Sequence, residues 1–129
     1  LVYAYDQSAG EKYDHGRFLL DQLWSDMRGH LSIQVLQEFY VIVTQKVRKP
    51  LDSETAAEIV RDLSYWDIHA PMAEDVLGAI DLQQRYGISF WDAMILWSAQ
   101  QLGCSTVWSE DMSEGQDYAG VHVLNPFRD

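Results

Sequence analysis

Hydrophobic residues repeat at helical spacing along most of the chain, in segments that end at glycine or proline. The first stripe predicts a helix over residues 16–27, ended by Gly29, and consists of Phe18, Leu19, Leu23, Trp24 and Met27. Ser32 is placed to cap a long helix that runs to residue 47. The inward positions of that helix are Ile33, Leu36, Phe39 or Tyr40, and Val43.

Three further helices follow by the same criteria. Ser53 is predicted to cap a helix whose inward positions are Ala56, Ile59, Val60 and Leu63. Pro71 opens a helix over residues 71–86, and Ser89 caps another over residues 90–102. Gly87 and Gly103 stand directly after these two helices, at the position where glycine commonly ends a helix.

Short apolar segments separate the helices and predict strands near residue 31 and over residues 66–69, 104–108 and 121–124. Helices that alternate with short apolar strands are typical of a parallel sheet covered on its faces. A chain of 129 residues suits one domain with one hydrophobic core. We therefore expect a single α/β domain over residues 1–129, with a central parallel sheet flanked by helices in three layers.

Composition narrows the class of protein without deciding it. No apolar run approaches the roughly 18 residues that span a bilayer, and the N-terminus has no signal-peptide pattern. The single Cys104 excludes an internal disulfide, which favours a reducing cytoplasm. The net charge of −11 argues against a protein that coats nucleic acid, although it allows a nuclease that gathers carboxylates around a cation; the simplest interpretation of the charge is solubility.

Three acids stand where apolar residues or strand ends are expected. Glu38 lies within the apolar segment SIQVLQEFYVIV, Asp92 lies in ISFWDAMILW, and Asp111 follows the strand CSTVW. A carboxylate in an apolar setting is costly unless it is paired or holds a metal. Hard oxygen ligands favour Mg²⁺, Mn²⁺ or Ca²⁺ over zinc.

Each acid also has an ordinary structural explanation. Asp92 falls in the first turn of its helix, where the macrodipole favours a negative charge. Glu38 fits the solvated flank of an amphipathic helix, and Asp111 fits a turn. Taken singly, these explanations are the better ones, so the case for a metal site depends on all three acids together.

The ordered segments LVYAYD, LSIQVLQEFY, YGISFWDAMILWSAQ and SEDM…VHVLNPF resemble a bacterial PIN domain, most closely the VapC-type toxins of toxin–antitoxin pairs. The resemblance implies that Glu38, Asp92 and Asp111 form a catalytic metal site for Mg²⁺ or Mn²⁺, supported by the hydroxyl of Ser109. It further implies an RNA substrate, an antitoxin protein as partner, a homodimer and no attachment to a membrane.

One departure from the family concerns its first strand, which ends in Asp-Thr-Asn and supplies a further metal-binding acid. The sequence begins at Leu1, so that strand and its Asp are absent from it. Asp6 falls one helix further on, where the family carries an acid without a metal role. Truncation of the chain and real loss of the strand are both consistent with this pattern, and truncation is the interpretation we favour.

Other functions remain as alternatives. Loss of one acid would leave a non-catalytic PIN-like binding scaffold, and a PIN nuclease of RNA processing outside toxin–antitoxin systems would carry the same acids. The four histidines, His15, His30, His69 and His122, show no ligand spacing for zinc. No nucleophile elbow supports a serine hydrolase. Among the many aromatics, Tyr3, Tyr5, Trp24 and Tyr40 are candidates for a dimer or antitoxin groove.

Overall fold

Helices and short strands alternate along the chain, as the hydrophobic pattern predicts. The computed structural model describes residues 1–26, 29–110, 112 and 115–127. Two 3₁₀ turns, Val2–Tyr5 and Gln7–Ala9, precede the helices α1 (Glu11–Asp26), α2 (Ile33–Gln45), α3 (Ser53–Leu63), α4 (Ala73–Tyr86) and α5 (Phe90–Gln101). The described strands are β1 (His30–Ser32), β2 (Asp67–His69), β3 (Thr106–Trp108), β4 (Asp117–Tyr118) and β5 (Val121–Leu124).

Side-chain caps fix where three of the helices begin. Ser32 accepts a hydrogen bond from the N–H of Val35, and Ser89 accepts one from the N–H of Asp92, so both predicted caps are confirmed. The predicted cap Ser53 is wrong. The Asp52 carboxylate, a stronger acceptor one residue earlier, takes the N–H of Thr55 at 2.9 Å.

The helix ends also follow the sequence closely. Gly87 and Gly103 have φ of 65° and 76°, so both adopt the left-handed conformation that terminates α4 and α5 as predicted. Helix α2 ends two residues earlier than expected, and α1 begins five residues earlier, at Glu11.

The strands form two separate sheets among the described residues. Strand β1 pairs in parallel with β2, and β3 pairs in parallel with β5. The parallel pairs between helices confirm the α/β class. Strand β4 was not predicted; it pairs antiparallel with β5 through a tight turn in which Ala119 and Gly120 both have positive φ, the backbone that short hairpins favour.

Helix α5 connects the two sheets because it packs against β1, β3 and β5. Its buried side chains include Ala93, Leu96 and Ala99, which join the core that also contains Val121 and Val123. Smaller cores lie under α2 and α3, where Phe39, Val43, Ala56 and Leu63 are almost fully buried. These positions confirm the inward faces predicted for α2 and α3 except at Ile33, which is exposed.

The predicted inner face of α1 is correct only in part, because Leu19 and Leu23 are half-buried but the aromatic positions are exposed. Leu20 is its buried residue, whereas Phe18 is 66% exposed and Trp24 is 37% exposed; Met27 lies outside the described residues. The cause is the close packing of Val2–Tyr5 on the side of α1 that carries Gly16. A Cβ atom at Gly16 would stand 3.1 Å from the backbone nitrogen of Ala4, which is a tight contact, so glycine favours this close approach.

Candidate metal centre at the carboxyl end of β1

Two of the three predicted acids lie at one end of the molecule. Glu38 is on α2, one turn after Gln34, and Asp92 is in the first turn of α5. The Gln34 amide nitrogen lies 3.4 Å from Glu38 Oε1 and 3.4 Å from the carbonyl oxygen of Trp91. A single side chain therefore contacts both the Glu38 carboxylate and the residue that precedes Asp92.

The position of this site follows from the connections of α2 and α5. Helix α2 starts directly after the last residue of β1, so Gln34 lies at the carboxyl end of that strand. Contact between Gln34 and Trp91 places the start of α5 at the same edge. In open α/β sheets, ligands bind outside the carboxyl ends of the strands.

Asp92 is held by the start of its helix. The hydroxyl of Ser89 accepts the Asp92 N–H at 3.1 Å, which fixes the backbone of the first turn. Asp92 is half-buried and lies in the first turn of α5, where the helix dipole favours a negative charge. Its position in the first turn of a helix therefore accounts for Asp92 without a metal, and a metal-binding role would be additional.

Glu38 is exposed, as its ordinary explanation on the solvated flank of an amphipathic helix requires, although the residues around it in sequence are apolar. The heptad-like neighbours Leu36, Phe39 and Val43 take the buried face of α2, and Glu38 falls on the flank. The cost of a buried carboxylate therefore does not apply to Glu38. Glu38 is related to Asp92 because both residues lie toward the same edge of the domain.

The third acid, Asp111, lies outside the described residues. Its neighbour Ser109 is described and follows β3 directly. The Ser109 N–H donates to the carbonyl of Leu124 at 2.9 Å, and the Ser109 hydroxyl lies 3.4 Å from the N–H of Met112. Helix α5 leads away from the carboxyl end of β1. Strand β3 follows α5 and runs back toward that end, so we infer that Ser109 lies toward the edge where Asp92 is located.

Glu110, beside Ser109, is neutralised by a cation. The Lys12 ammonium forms an ion pair with Glu110 and lies 5.0 Å from the centre of the Tyr3 ring. The hydrogen bond to Glu110 raises the pKa of Lys12, so this ammonium is fully charged at neutral pH. The contact ties the start of α1 to the loop after β3.

Asp6 has a structural partner elsewhere. Its carboxylate accepts hydrogen bonds from the backbone N–H and the hydroxyl of Ser8, at 3.1 Å and 2.5 Å. It thereby caps the turn Gln7–Ala9, which accounts for a carboxylate that is 9% exposed.

The described residues hold no group of three or more His, Cys, Asp or Glu side chains close enough to bind a metal. The carboxylates of Glu38 and Asp92 and the amide oxygen of Gln34 are hard donors, which suit Mg²⁺ or Mn²⁺ better than zinc. The donor set thus fits such a cation in kind, and Asp111 would supply the third carboxylate.

A second polar cluster joins Ser98, His69 and Asp75, which are far apart in sequence. His69 Nδ1 lies 2.7 Å from the Ser98 hydroxyl, and His69 Nε2 lies 3.5 Å from Asp75 Oδ2. Asp75 also accepts the N–H of Met72 at 2.7 Å and the indole N–H of Trp97 at 2.8 Å. The three residues lie on different elements, so the cluster links β2 to α4 and α5. Ser98 is only 3% exposed in the middle of α5, so its hydroxyl is not an accessible nucleophile.

Comparison with known proteins decides the family. Residues 2–113 match the PIN domain family, which is most of the chain. The chain belongs to the PIN domain family. PIN domains are generally metal-dependent nucleases, and the match extends across Glu38, Asp92 and Asp111.

No curated protein matches the chain. In the described part of the chain, no helix has the length and hydrophobicity needed to cross a membrane.

Proposed function

We propose that this PIN domain is a metal-dependent ribonuclease whose cation is held by Glu38, Asp92 and Asp111. The observation that carries the proposal is the Gln34 side chain, which lies between Glu38 and the start of α5. It supports placing two acids, 54 positions apart in sequence, on one edge of the domain. The family supplies the expectation of nuclease chemistry.

The side chains have distinct tasks in this proposal. Asp92 lies in the first turn of α5, where the positive end of the helix dipole favours anionic groups. The Gln34 amide N–H donates toward Glu38 Oε1 and restricts its rotation, while Ser109 supports the loop that carries Asp111. Bound Mg²⁺ or Mn²⁺ would supply an activated water and charge stabilisation for phosphodiester hydrolysis.

A further acid from an added strand belongs to the same proposal. Strands β1 and β3 each have one edge that pairs with no described strand, and α5 packs against both. A strand between them would join the two sheets into one three-layer domain, and its end would reach the edge where Asp92 lies. We propose that the family's first strand, with its Asp, occupies this place.

The cellular role we propose is that of a VapC-type toxin in the cytoplasm. It would form a homodimer and bind an antitoxin that places a basic side chain among the carboxylates. The net charge of −11 and the exposed Glu38 support attraction to such a basic group. Light scattering tests the dimer, and co-purification with the product of the neighbouring gene tests the antitoxin.

RNA cleavage by the full-length protein tests the central proposal. Asp92→Asn keeps the size of the side chain and should reduce Mn²⁺-dependent cleavage by several orders of magnitude, as EDTA should in the unmutated protein. The matched control is Asp81→Asn, an exposed acid on α4 that should leave cleavage unchanged. Normal cleavage by a folded Asp92→Asn variant would exclude the proposed site, and no cleavage by any form would favour a binding scaffold.

A further inference from the structure

A cleft lies between α1 and the ends of β3 and β5. It has a volume of about 240 Å³ and is lined by His15, Phe18, Leu19, Gln22, Trp108, Asn125 and Pro126. Phe18 is 66% exposed and Trp108 is 43% exposed, although both are large aromatic side chains. Two neighbouring aromatics left open to solvent at a concave surface indicate a binding site for an apolar or planar group.

The cleft lies beside the proposed catalytic edge. Trp108 is the last residue of β3, directly before Ser109, and Pro126 follows the end of β5. These strands are parallel, so their carboxyl ends lie together. A group bound in the cleft would therefore be close to the loop that carries Ser109 and Asp111 in sequence.

We propose that this cleft binds an unpaired base of the RNA substrate by stacking on Trp108 and Phe18. The inference rests on the proposed ribonuclease function and adds to it the part of the substrate that is recognised. Base–aromatic stacking binds single-stranded RNA without regard to charge.

The chemistry of the lining favours a base over a protein segment. Apart from the aromatic and aliphatic surfaces, the lining offers the imidazole of His15 and the amide of Gln22, groups that form hydrogen bonds with base edges. The volume falls below the roughly 300 Å³ at which pockets for larger ligands begin, so the cleft suits one planar ring system.

The acidic charge balance of the protein favours an uncharged contribution to RNA binding. With 20 acidic and 9 basic residues, the chain repels the phosphate backbone more than it attracts it. Lys12, the cation nearest the loop after β3 in the described contacts, is already paired with Glu110. Contacts with bases, which Trp108 and Phe18 are placed to make, would add affinity that this charge balance does not supply.

Binding of a short oligonucleotide separates this inference from catalysis. Fluorescence anisotropy of a labelled single-stranded oligoribonucleotide, measured in EDTA so that no hydrolysis occurs, gives the affinity of the full-length protein. Trp108→Ala and Phe18→Ala should each weaken binding roughly tenfold to a hundredfold. Trp108→Phe should recover most of the loss because it restores an aromatic face.

Two controls make the result specific. Tyr65→Ala removes an aromatic that is 84% exposed at the end of α3, and it should leave binding unchanged. An abasic oligonucleotide of equal length and charge should bind unmutated protein and Trp108→Ala equally weakly.

The outcomes distinguish base binding in the cleft from the proposed ribonuclease activity. If unmutated protein and Trp108→Ala bind the oligonucleotide equally well, the cleft does not bind a base, even where Mn²⁺-dependent cleavage is normal. If Trp108→Ala keeps RNA binding and loses a co-purifying protein, the cleft is a protein-docking site and the inference is wrong. Absence of cleavage with an intact, Trp108-dependent affinity would overturn the catalytic proposal and leave the base site standing.

Discussion

Replacement of Gly78 by alanine tests how α4 and α5 are packed together. A Cβ atom at Gly78 would overlap the six-membered ring of the Trp97 indole, with Cε2 at 2.5 Å. The indole cannot turn aside freely because its N–H donates to Asp75 Oδ1 at 2.8 Å, one turn earlier on α4. Gly78 is therefore required for the close approach of the two helices.

Two effects of opposite sign determine the magnitude. Alanine in a helix interior is favoured over glycine by about 0.5–1 kcal/mol. Forcing an extra methyl group into a packed contact costs about 1–3 kcal/mol. Since the displaced Trp97 would also lose its hydrogen bond, the packing cost should win, and we expect Gly78→Ala to lower the free energy of unfolding by about 1 kcal/mol.

Urea denaturation followed by far-UV circular dichroism measures this change. The matched background is Trp97→Leu, which removes the indole and lowers stability by itself. In that background the indole atoms nearest to the added methyl group are absent, and Gly78→Ala should raise stability by up to about 1 kcal/mol. An effect of the same sign and size in both backgrounds would show that the contact between Gly78 and Trp97 does not determine the packing.

Three further predictions concern single side chains. The Met72 backbone N–H, the Trp97 indole and His69 hold the pKa of Asp75 below its usual value, so its ionised form stabilises the fold above the unfolded-state pKa near 4. The stability lost in Asp75→Asn at pH 7 should therefore shrink as the pH falls through the folded pKa, measured by urea denaturation at several pH values. Ser89→Ala should lower the free energy of unfolding by about 0.5–2 kcal/mol in the same assay, since it removes the cap of α5, and no change would contradict the cap. Burial raises the pKa of the Cys104 thiol, so iodoacetamide should alkylate it more slowly at pH 8 than it alkylates a free cysteine; an equal rate would contradict this environment.

Helix positions could be predicted well from the sequence because caps and terminators are local signals. Ser32 and Ser89 begin helices, and Gly87 and Gly103 end them, in the structure as in the prediction. The short hairpin of β4 was missed although the segment DYAG contains a suitable turn. A strand of two residues is too short for any hydrophobic alternation to appear.

The buried face of α1 could be predicted only in part, because the residue of α1 that lies against the backbone of Ala4 is a glycine, Gly16. Hydrophobic periodicity counts large apolar residues, and it therefore selected Phe18 and Trp24. The close contact at Gly16 depends on the path of residues 2–5, which is a tertiary feature. Exposure of Phe18 is also the property on which the proposed base site depends.

The candidate site was predicted in part. The positions of helices and strands sufficed to place Glu38 and Asp92 toward one edge, and Glu38 lies on the exposed flank of α2, as its ordinary explanation requires. The contact of Gln34 with both elements was missed, since an amide within an amphipathic helix carries no distinguishing pattern. The metal-binding roles of Glu38, Asp92 and Asp111 stay predictions.

The central claim is that Glu38 and Asp92 act on one cation, and a kinetic double-mutant cycle tests it most directly. The rate of Mn²⁺-dependent RNA cleavage is measured for the unmutated full-length protein, Glu38→Gln, Asp92→Asn and the double variant. Groups that act as one unit have strongly non-additive effects, so each single variant should lose almost as much activity as the double variant. Losses that multiply, with the double variant slower than either single variant by the full product, would show that the two acids do not share a metal site.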